Sequence, residues 1–397
     1  MEDSSSPPPF KDKKPMQSKN VLHIITISFV INHFFGKQFK YLEQKTNNKY
    51  FLGCTPSEEF FELSQSLKYT PFPVNVTRNI SPLTDLKAIF KIYRFIKKNK
   101  IDTIVGHTPK GGMVAMIASY FAGVKERIYF RHGIIYETSS GFKKIILKNI
   151  DRISGALATK VVCVSHSVKK ISEKDHLNNP SKNIILGLGT CNGIDTEDKF
   201  NPQKISYKII QKLALENNIS ETDFVIGYVG RLVKDKGINE LIKAWKSLNE
   251  KYGNVKLLLV GPIEERDAVS EESKKSIEEE KNIINTGFVL DASSYFSLMD
   301  VFVLPTYREG FPTVSLEASS MELPVLITRA TGCEESILEN QTGTFITNQP
   351  EDIAEKIEKY YNNRNLIIQQ GKKGREFVRL NFEESKIWNQ IHEKLNY

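Results

Sequence analysis

From residue 21 onward, short apolar runs alternate with longer stretches in which apolar residues recur every third or fourth position. The runs at 21–30 (VLHIITISFV), 50–54, 71–76, 101–106, 126–131, 161–165 and 183–187 predict buried strands. Those at 224–230, 255–261, 301–304 and 323–328 predict a second set. Helical patterns lie between them. Leu83, Leu86, Phe90, Tyr93 and Ile96 share one side of a helix over 83–98, and Ile238, Leu241, Ile242, Trp245 and Leu248 keep the same spacing over 237–252. Residues 31–36 turn the chain after its first strand, and Phe35, Phe39 and Leu42 mark the next helix. Residues 264–281 read as a highly charged, solvated helix, and 352–397 are helical in pattern. Regular alternation of strand and helix predicts an α/β fold with doubly wound parallel sheets. One core stops growing at roughly 250–300 residues, so a chain of 397 predicts two such domains. Asn192-Gly193, between the two sets of strands, is a turn signal, and the charge balance changes sign close to it.

Chemistry concentrates at 304–318, LPTYREGFPTVSLEA. Here a buried strand leads through Gly310 and Pro312 into a helix, with Glu309 in the turn and Glu317 in the first turns. A helix start at the carboxyl end of a parallel strand suits an anion, and two carboxylates beside it suit hydroxyls, as in a sugar nucleotide. A strand, a turn and an acidic residue favoured by the helix dipole would give the same pattern. In the second half, Gly230-Arg231-Leu232-Val233-Lys234-Asp235-Lys236-Gly237 follows a strand. Arg231 could grip phosphate oxygens with its planar fork, and Lys236 would add a point charge.

Together these two blocks resemble the signatures of the retaining glycosyltransferases of family 4, which have the GT-B fold: two Rossmann-like domains facing a central cleft. The resemblance runs from residue 21 to the end. It implies that Arg231 and Lys236 stabilise the departing diphosphate, that Glu317 binds the ribose hydroxyls, and that Glu309 binds hydroxyls of the donor sugar. Gly230 and the run Gly310, Phe311, Pro312, Thr313 and Val314 would complete the donor site. Phe288 and Val289 would lie at the nucleotide base, read largely through backbone groups. The family's glycine loop near the donor phosphates falls at Gly36, and its His-Gly site at Arg131-His132-Gly133, placing His132 beside the reacting carbon. It also implies residues 196–375 as the donor domain, 21–195 as the acceptor domain, and a final helix, 376–397, crossing back to the first domain. No metal or other cofactor is implied, because the basic residues carry the charge.

Charge adds an asymmetry. Residues 1–199 carry 30 Lys and Arg against 17 Asp and Glu, whereas residues 200–397 carry 25 against 30. A basic half suits a phosphorylated substrate or an anionic membrane face; no helix-turn-helix, zinc-ligand or RNP-like pattern supports nucleic acid. Residues 141–158 place Phe142, Ile145, Ile146, Ile150, Ile153 and Leu157 in a stripe among Lys143, Lys144, Lys148 and Arg152. That pattern fits either an anionic membrane or a sheet-covering helix with a solvated basic face. The turn His107-Thr108-Pro109-Lys110-Gly111-Gly112 precedes a helix and lacks the Lys-Ser/Thr pair of a P-loop. It makes His107, Lys110 and Gly111 candidates for the acceptor, with a tight packing turn as the alternative. Cys54, Cys163, Cys191 and Cys333 are scattered like the free thiols of a reduced cytosol, and the histidines are unclustered, so no structural metal is expected. Residues 1–20, polar and rich in Pro and Ser, predict a disordered extension, and no run is long enough to span a membrane.

The histidine, glycine-turn and basic-helix features resemble, within the family, bacterial enzymes that build capsule, exopolysaccharide or O-antigen units on a polyprenyl diphosphate. The expected function is thus sugar transfer from a nucleotide-sugar, UDP-linked, to a lipid-linked or soluble glycan. The expected location is the cytoplasm, with peripheral contact at the inner face of the plasma membrane. A UDP-sugar 2-epimerase and a non-catalytic nucleotide-sugar-binding protein are the alternatives.

Overall fold

The computed structural model describes residues 18–77 and 81–397, so residues 1–17 of the expected extension lie outside the described residues. Strands β1 (Asn20–Ile24), β2 (Lys49–Cys54), β3 (Thr70–Pro73), β4 (Thr103–His107), β5 (Glu126–Arg131), β6 (Lys160–Cys163) and β7 (Asn183–Ile184) form one sheet. Its order is β3-β2-β1-β4-β5-β6-β7. A second sheet holds β8 (Phe224–Val229), β9 (Val255–Val260), β10 (Ile283–Asn285), β11 (Val301–Leu304), β12 (Val325–Thr328) and β13 (Gly343–Ile346) in the order β10-β9-β8-β11-β12-β13. The strand pairs of both sheets are parallel. Parallel strands are covered on both faces, which accounts for the near-continuous apolar runs Val301–Leu304 and Val325–Thr328.

In each sheet the order reverses beside the first strand, between β1 and β4 and between β8 and β11. The crevice at the carboxyl ends of strands at such a point is where ligands bind in open α/β sheets. The two switch points open toward one another across the domains.

Each domain has its own core. The chain passes between domains twice, at one place: Ile194 N donates to Phe382 O (2.8 Å) and Glu384 N donates to Ile194 O (3.0 Å). Ile387, Trp388, Ile391 and Leu395 of the last helix, Glu384–Leu395, join the N-terminal core. The return thus occurs at 382–384, a few residues beyond the expected 376, because the helix Arg364–Asn381 still packs on the second domain through Phe377 and Val378.

Several expected elements are corrected. The first strand ends at Ile24, since its partners in register end at Gly53 and Gly106, and residues 25–30 form a connection above it that closes with a 3-10 turn, Ser28–Val30. Within residues 31–36, Ile31–Phe34 is a short helix and only Phe35 and Gly36 are turn. Only Glu271–Glu279 of the charged stretch 264–281 is helical, capped by Ser270, whose hydroxyl accepts from Ser273 N. The helix Pro82–Asn99 buries Ala88, Ile92 and Ile96 with Asp85, leaving Leu83 (79% exposed), Leu86 and Phe90 in solvent.

Candidate functional site

The loop after β8 reaches over the second switch point. Gly237 takes φ +72°, and a Cβ there would lie 2.0 Å from Pro305 O, so only glycine lets this loop close on the segment after β11. That approach brings Lys236 Nζ onto Glu309 Oε1 in an ion pair shielded from water on both sides. Arg231, about half exposed, pairs with Glu264 Oε2 at 2.9 Å. Beyond Glu309, Pro312 opens the helix Thr313–Ser320, which carries Val314 and Glu317 on partly buried positions. Burial pushes the Glu317 carboxyl up to about 7, with Asp291 adding to the rise and Lys199 opposing it. Gly230, Arg231, Lys236, Glu309, Gly310, Thr313 and Glu317 therefore belong to loops and a helix start around one switch point.

The first domain closes down on this loop. A Cβ on Gly310 would stand 1.8 Å from His132 O, so the backbone carrying Glu309 touches the backbone carrying His132. Polar contacts bridge the same gap: Arg308 Nε donates to Thr138 Oγ1 at 3.0 Å, Thr331 Oγ1 to Glu137 Oε1 at 2.8 Å, and Gly332 N to Ser167 Oγ at 2.7 Å. His33 Nε2 lies 3.3 Å from Thr313 Oγ1. Phe311 packs against both cores.

Not every candidate reaches the cleft. His107 is buried between two other histidines and does not face an acceptor. Lys110 is committed to Asp85 by a 2.7 Å ion pair, although its stem walls a cavity. Gly111 and Gly112 are packing glycines: a Cβ would meet Ile24 O at 3.2 Å in the first case and the Tyr129 ring at 2.4 Å in the second. Gly36, at φ +46°, sits beyond the short helix against Asn192 of the domain linker, so the loop above β1 is residues 25–30 instead. The scattered histidines converge in space, an arrangement their sequence spacing does not signal.

Phe29, which sequence reasoning missed, meets the expected Phe288 along the cleft. Phe29 and Phe288 are both exposed and face each other from opposite domains, ring centroids 6.3 Å apart. Val289, next to Phe288, packs on the second core. A cavity of about 590 Å³ between the domains is lined by Lys143, Lys234, Arg266 and Arg308. Its two carboxylates are occupied: Asp235 by Arg308 at 3.0 Å, and Asp267 by the backbone N–H of Asp235 at 2.9 Å. Ile135 and Leu147 wall this cavity and also a second one, of about 210 Å³ and chiefly apolar, formed with Ile27, Val30, Pro109 and Ile150.

This arrangement suits a ligand with a diphosphate and hydroxyls, and known proteins bear on what it does. Residues 210–377 match the family described as Glycosyl transferases group 1, and residues 54–165 match Glycosyl transferase 4-like. The capsular polysaccharide biosynthesis glycosyltransferase CapM of Staphylococcus aureus is 34% identical over 96% of this chain and 98% of the relative. The chain belongs to the group 1 glycosyltransferases. This glycosyltransferase is also 27% identical to an Escherichia coli UDP-Gal:alpha-D-GlcNAc-diphosphoundecaprenol alpha-1,3-galactosyltransferase, over 69% of its own length and 70% of the relative's. Anabaena HepE, solved in complex with UDP and glucose, superposes with a TM-score of 0.78 at 20% identity, covering 95% of this chain and 99% of that one. The shared architecture is GT-B. Within the described residues of the glycosyltransferase, no helix is long and apolar enough to cross a membrane.

Proposed function

We propose that this glycosyltransferase moves a sugar, with retention at the anomeric carbon, from a UDP-sugar to a sugar carried on polyprenyl diphosphate during surface polysaccharide assembly. The observation that carries the donor half is the convergence of Lys236, Arg231, Glu309 and Glu317 at the second switch point. As the bond from the anomeric carbon to the diphosphate oxygen breaks, negative charge grows on the diphosphate, and Arg231 and Lys236 stabilise it without a metal ion. The acceptor hydroxyl attacks from the same face, and its proton passes to the departing phosphate oxygen. Glu309 holds sugar hydroxyls once the donor draws Lys236 away. Titrating UDP into the protein with EDTA present tests this; no binding by the folded protein would remove the reading.

Glu317 gives the donor site a pH dependence. Accepting from two ribose hydroxyls requires the carboxylate, and the free protein holds that group protonated below about 7. Binding must then release the proton, so UDP affinity is expected to fall roughly tenfold per pH unit below 7. A Glu317→Gln protein should bind UDP weakly and keep only the shallower dependence that comes from the terminal phosphate of UDP, which titrates at about pH 6; calorimetry at pH 5.5, 7 and 8.5 reads both. The facing rings of Phe29 and Phe288 suit the nucleotide base. Phe29→Ala is expected to weaken UDP about two- to tenfold, the worth of one aromatic contact, in the same titration.

The acceptor reading rests on the two adjoining cavities, one cationic for a diphosphate and one apolar for the start of a lipid chain. The E. coli relative's named acceptor has this chemistry. Nearby, the helix Gly141–Leu157 turns Asp151, Ser154 and Gly155 inward and packs Leu147 and Leu157 on the first core, leaving Phe142, Ile145 and Ile153 of its apolar stripe exposed among its lysines. Leu83, Leu86 and Phe90 add a second exposed apolar row in the same domain. These faces support peripheral contact with an anionic membrane. Sedimentation with anionic but not zwitterionic vesicles is expected, lost in a Phe142→Ser/Ile145→Ser/Lys143→Gln/Lys144→Gln protein; unchanged partition would exclude this surface.

A further inference from the structure

Behind His132 stand two more imidazoles, His107 and His23, with no part in the reading above. His132 Nε2 lies 3.0 Å from His107 Nδ1, and His107 Nε2 lies 3.1 Å from His23 Nδ1. His23 is within β1, His107 ends β4 and His132 follows β5, three neighbouring strands, so the row runs from the cleft across the sheet into the core. Rings hold it in place. Phe34 stacks on His132 at 4.0 Å and 8°, Phe130 on His107 at 4.8 Å, and Phe35, Phe39 and Tyr397 surround His23.

Burial keeps the three rings neutral: it pushes His23 and His132 down to about 3 and His107 well below its ordinary value. A neutral imidazole has one N–H and one lone pair. A row of three then has only two proton orders, one the reverse of the other. The inner end decides between them. His23 Nε2 is buried and has no hydrogen-bond partner among the described residues. Were it an N–H, a buried donor would stand orphaned, which is rarer and costlier than an under-used lone pair. The hydroxyl of neighbouring Tyr397, which could accept, is likewise without a partner and does not reach this nitrogen. His23 Nε2 is therefore the bare nitrogen. It follows that His23 Nδ1–H donates to His107 Nε2, that His107 Nδ1–H donates to His132 Nε2, and that the proton of His132 sits on Nδ1.

We propose that His23 and His107 are positioning residues that lock the tautomer of His132, so that its Nδ1 is a fixed hydrogen-bond donor to an oxygen of the bound nucleotide-sugar. The role rests on the transferase reading; the tautomer does not. A ring so locked gives a hydrogen bond to a hydroxyl of the transferred sugar but takes no proton from the acceptor, since its remaining lone pair already faces His107.

The test is nitrogen NMR of protein labelled with 15N-histidine, His132 being assigned from the signal lost in His132→Asn. The expected spectrum shows Nδ1 protonated and Nε2 bare for all three rings. A His132 protonated at Nε2 overturns the proposal, and this measurement needs no variant in the row. In His107→Phe the ring that donates to His132 Nε2 is removed, and His132 is expected to show mixed tautomers. With them, kcat should fall about tenfold, the worth of one hydrogen bond, while UDP affinity stays constant. A merely structural histidine would lower the melting temperature and leave the His132 tautomer as it was. Failure to bind UDP would instead strike the transferase reading and leave the tautomer result standing.

Discussion

Replacing Lys236 by alanine is expected to lower sugar transfer at saturating donor by about 10²–10³-fold, the scale seen when one preorganised transition-state donor is removed. The ammonium group is held at the switch point by a loop that closes only through Gly237, and it is shielded there from bulk water. In the free protein it neutralises Glu309. That pairing creates a second explanation for lost activity, an unpaired and poorly solvated Glu309, and the two are separable. If Lys236 served only to neutralise Glu309, adding Glu309→Gln would restore much of the rate. If Lys236 stabilises charge on the departing diphosphate, the double variant transfers no faster than the single. Initial rates with a saturating UDP-sugar decide between them, alongside thermal unfolding to confirm that both proteins fold.

The architecture was legible because parallel strands buried on both faces must be continuously apolar, and because Gly230, Gly237 and Gly310 punctuate the loops that follow them. Pairing Glu309 with Lys236 was not legible, since a residue spacing of 73 positions says nothing about which two loops meet. Helix faces misled where tertiary contacts overrode pattern: Leu83, Leu86 and Phe90 have helical spacing, but the helix turns toward the sheet by Asp85, Ala88, Ile92 and Ile96 so that Asp85 can reach Lys110. β10 and β13 were missed because Ile283–Asn285 and Gly343–Ile346 are too short to show a period. The loop with Arg266 and Asp267 looked helical from its charges alone, yet Ser270 caps the helix after it and leaves both residues on the cleft cavity. Phe29 carried no signal at all, because its meaning depends on Phe288 arriving from the other domain.

Asp151→Ala should cost about 3–5 kcal/mol of folding stability, the largest effect expected from any single change outside the cleft. Arg131 and Asp151 are both fully buried, joined by Nε to Oδ1 at 2.9 Å, and the guanidinium also donates to Asn178 Oδ1 at 2.9 Å and lies 5.4 Å from the Tyr129 ring. Without Asp151 the arginine charge remains in the core with only neutral partners. An Arg131→Met/Asp151→Leu protein, which removes both charges and fills the space, should recover most of that loss, since a buried pair adds little beyond its own desolvation. Urea unfolding reads this if the domains are told apart. The two tryptophans allow it: Trp245 belongs to the second core and Trp388 to the first, so a Trp245→Phe background makes fluorescence report on the domain that holds the pair. The pair also fastens the basic helix to β5, next to His132. The double variant therefore separates two roles of Arg131: restored stability with altered His132 NMR signals would mean that the ion pair sets the geometry of the cleft, and restoration of both that it only holds the helix in place.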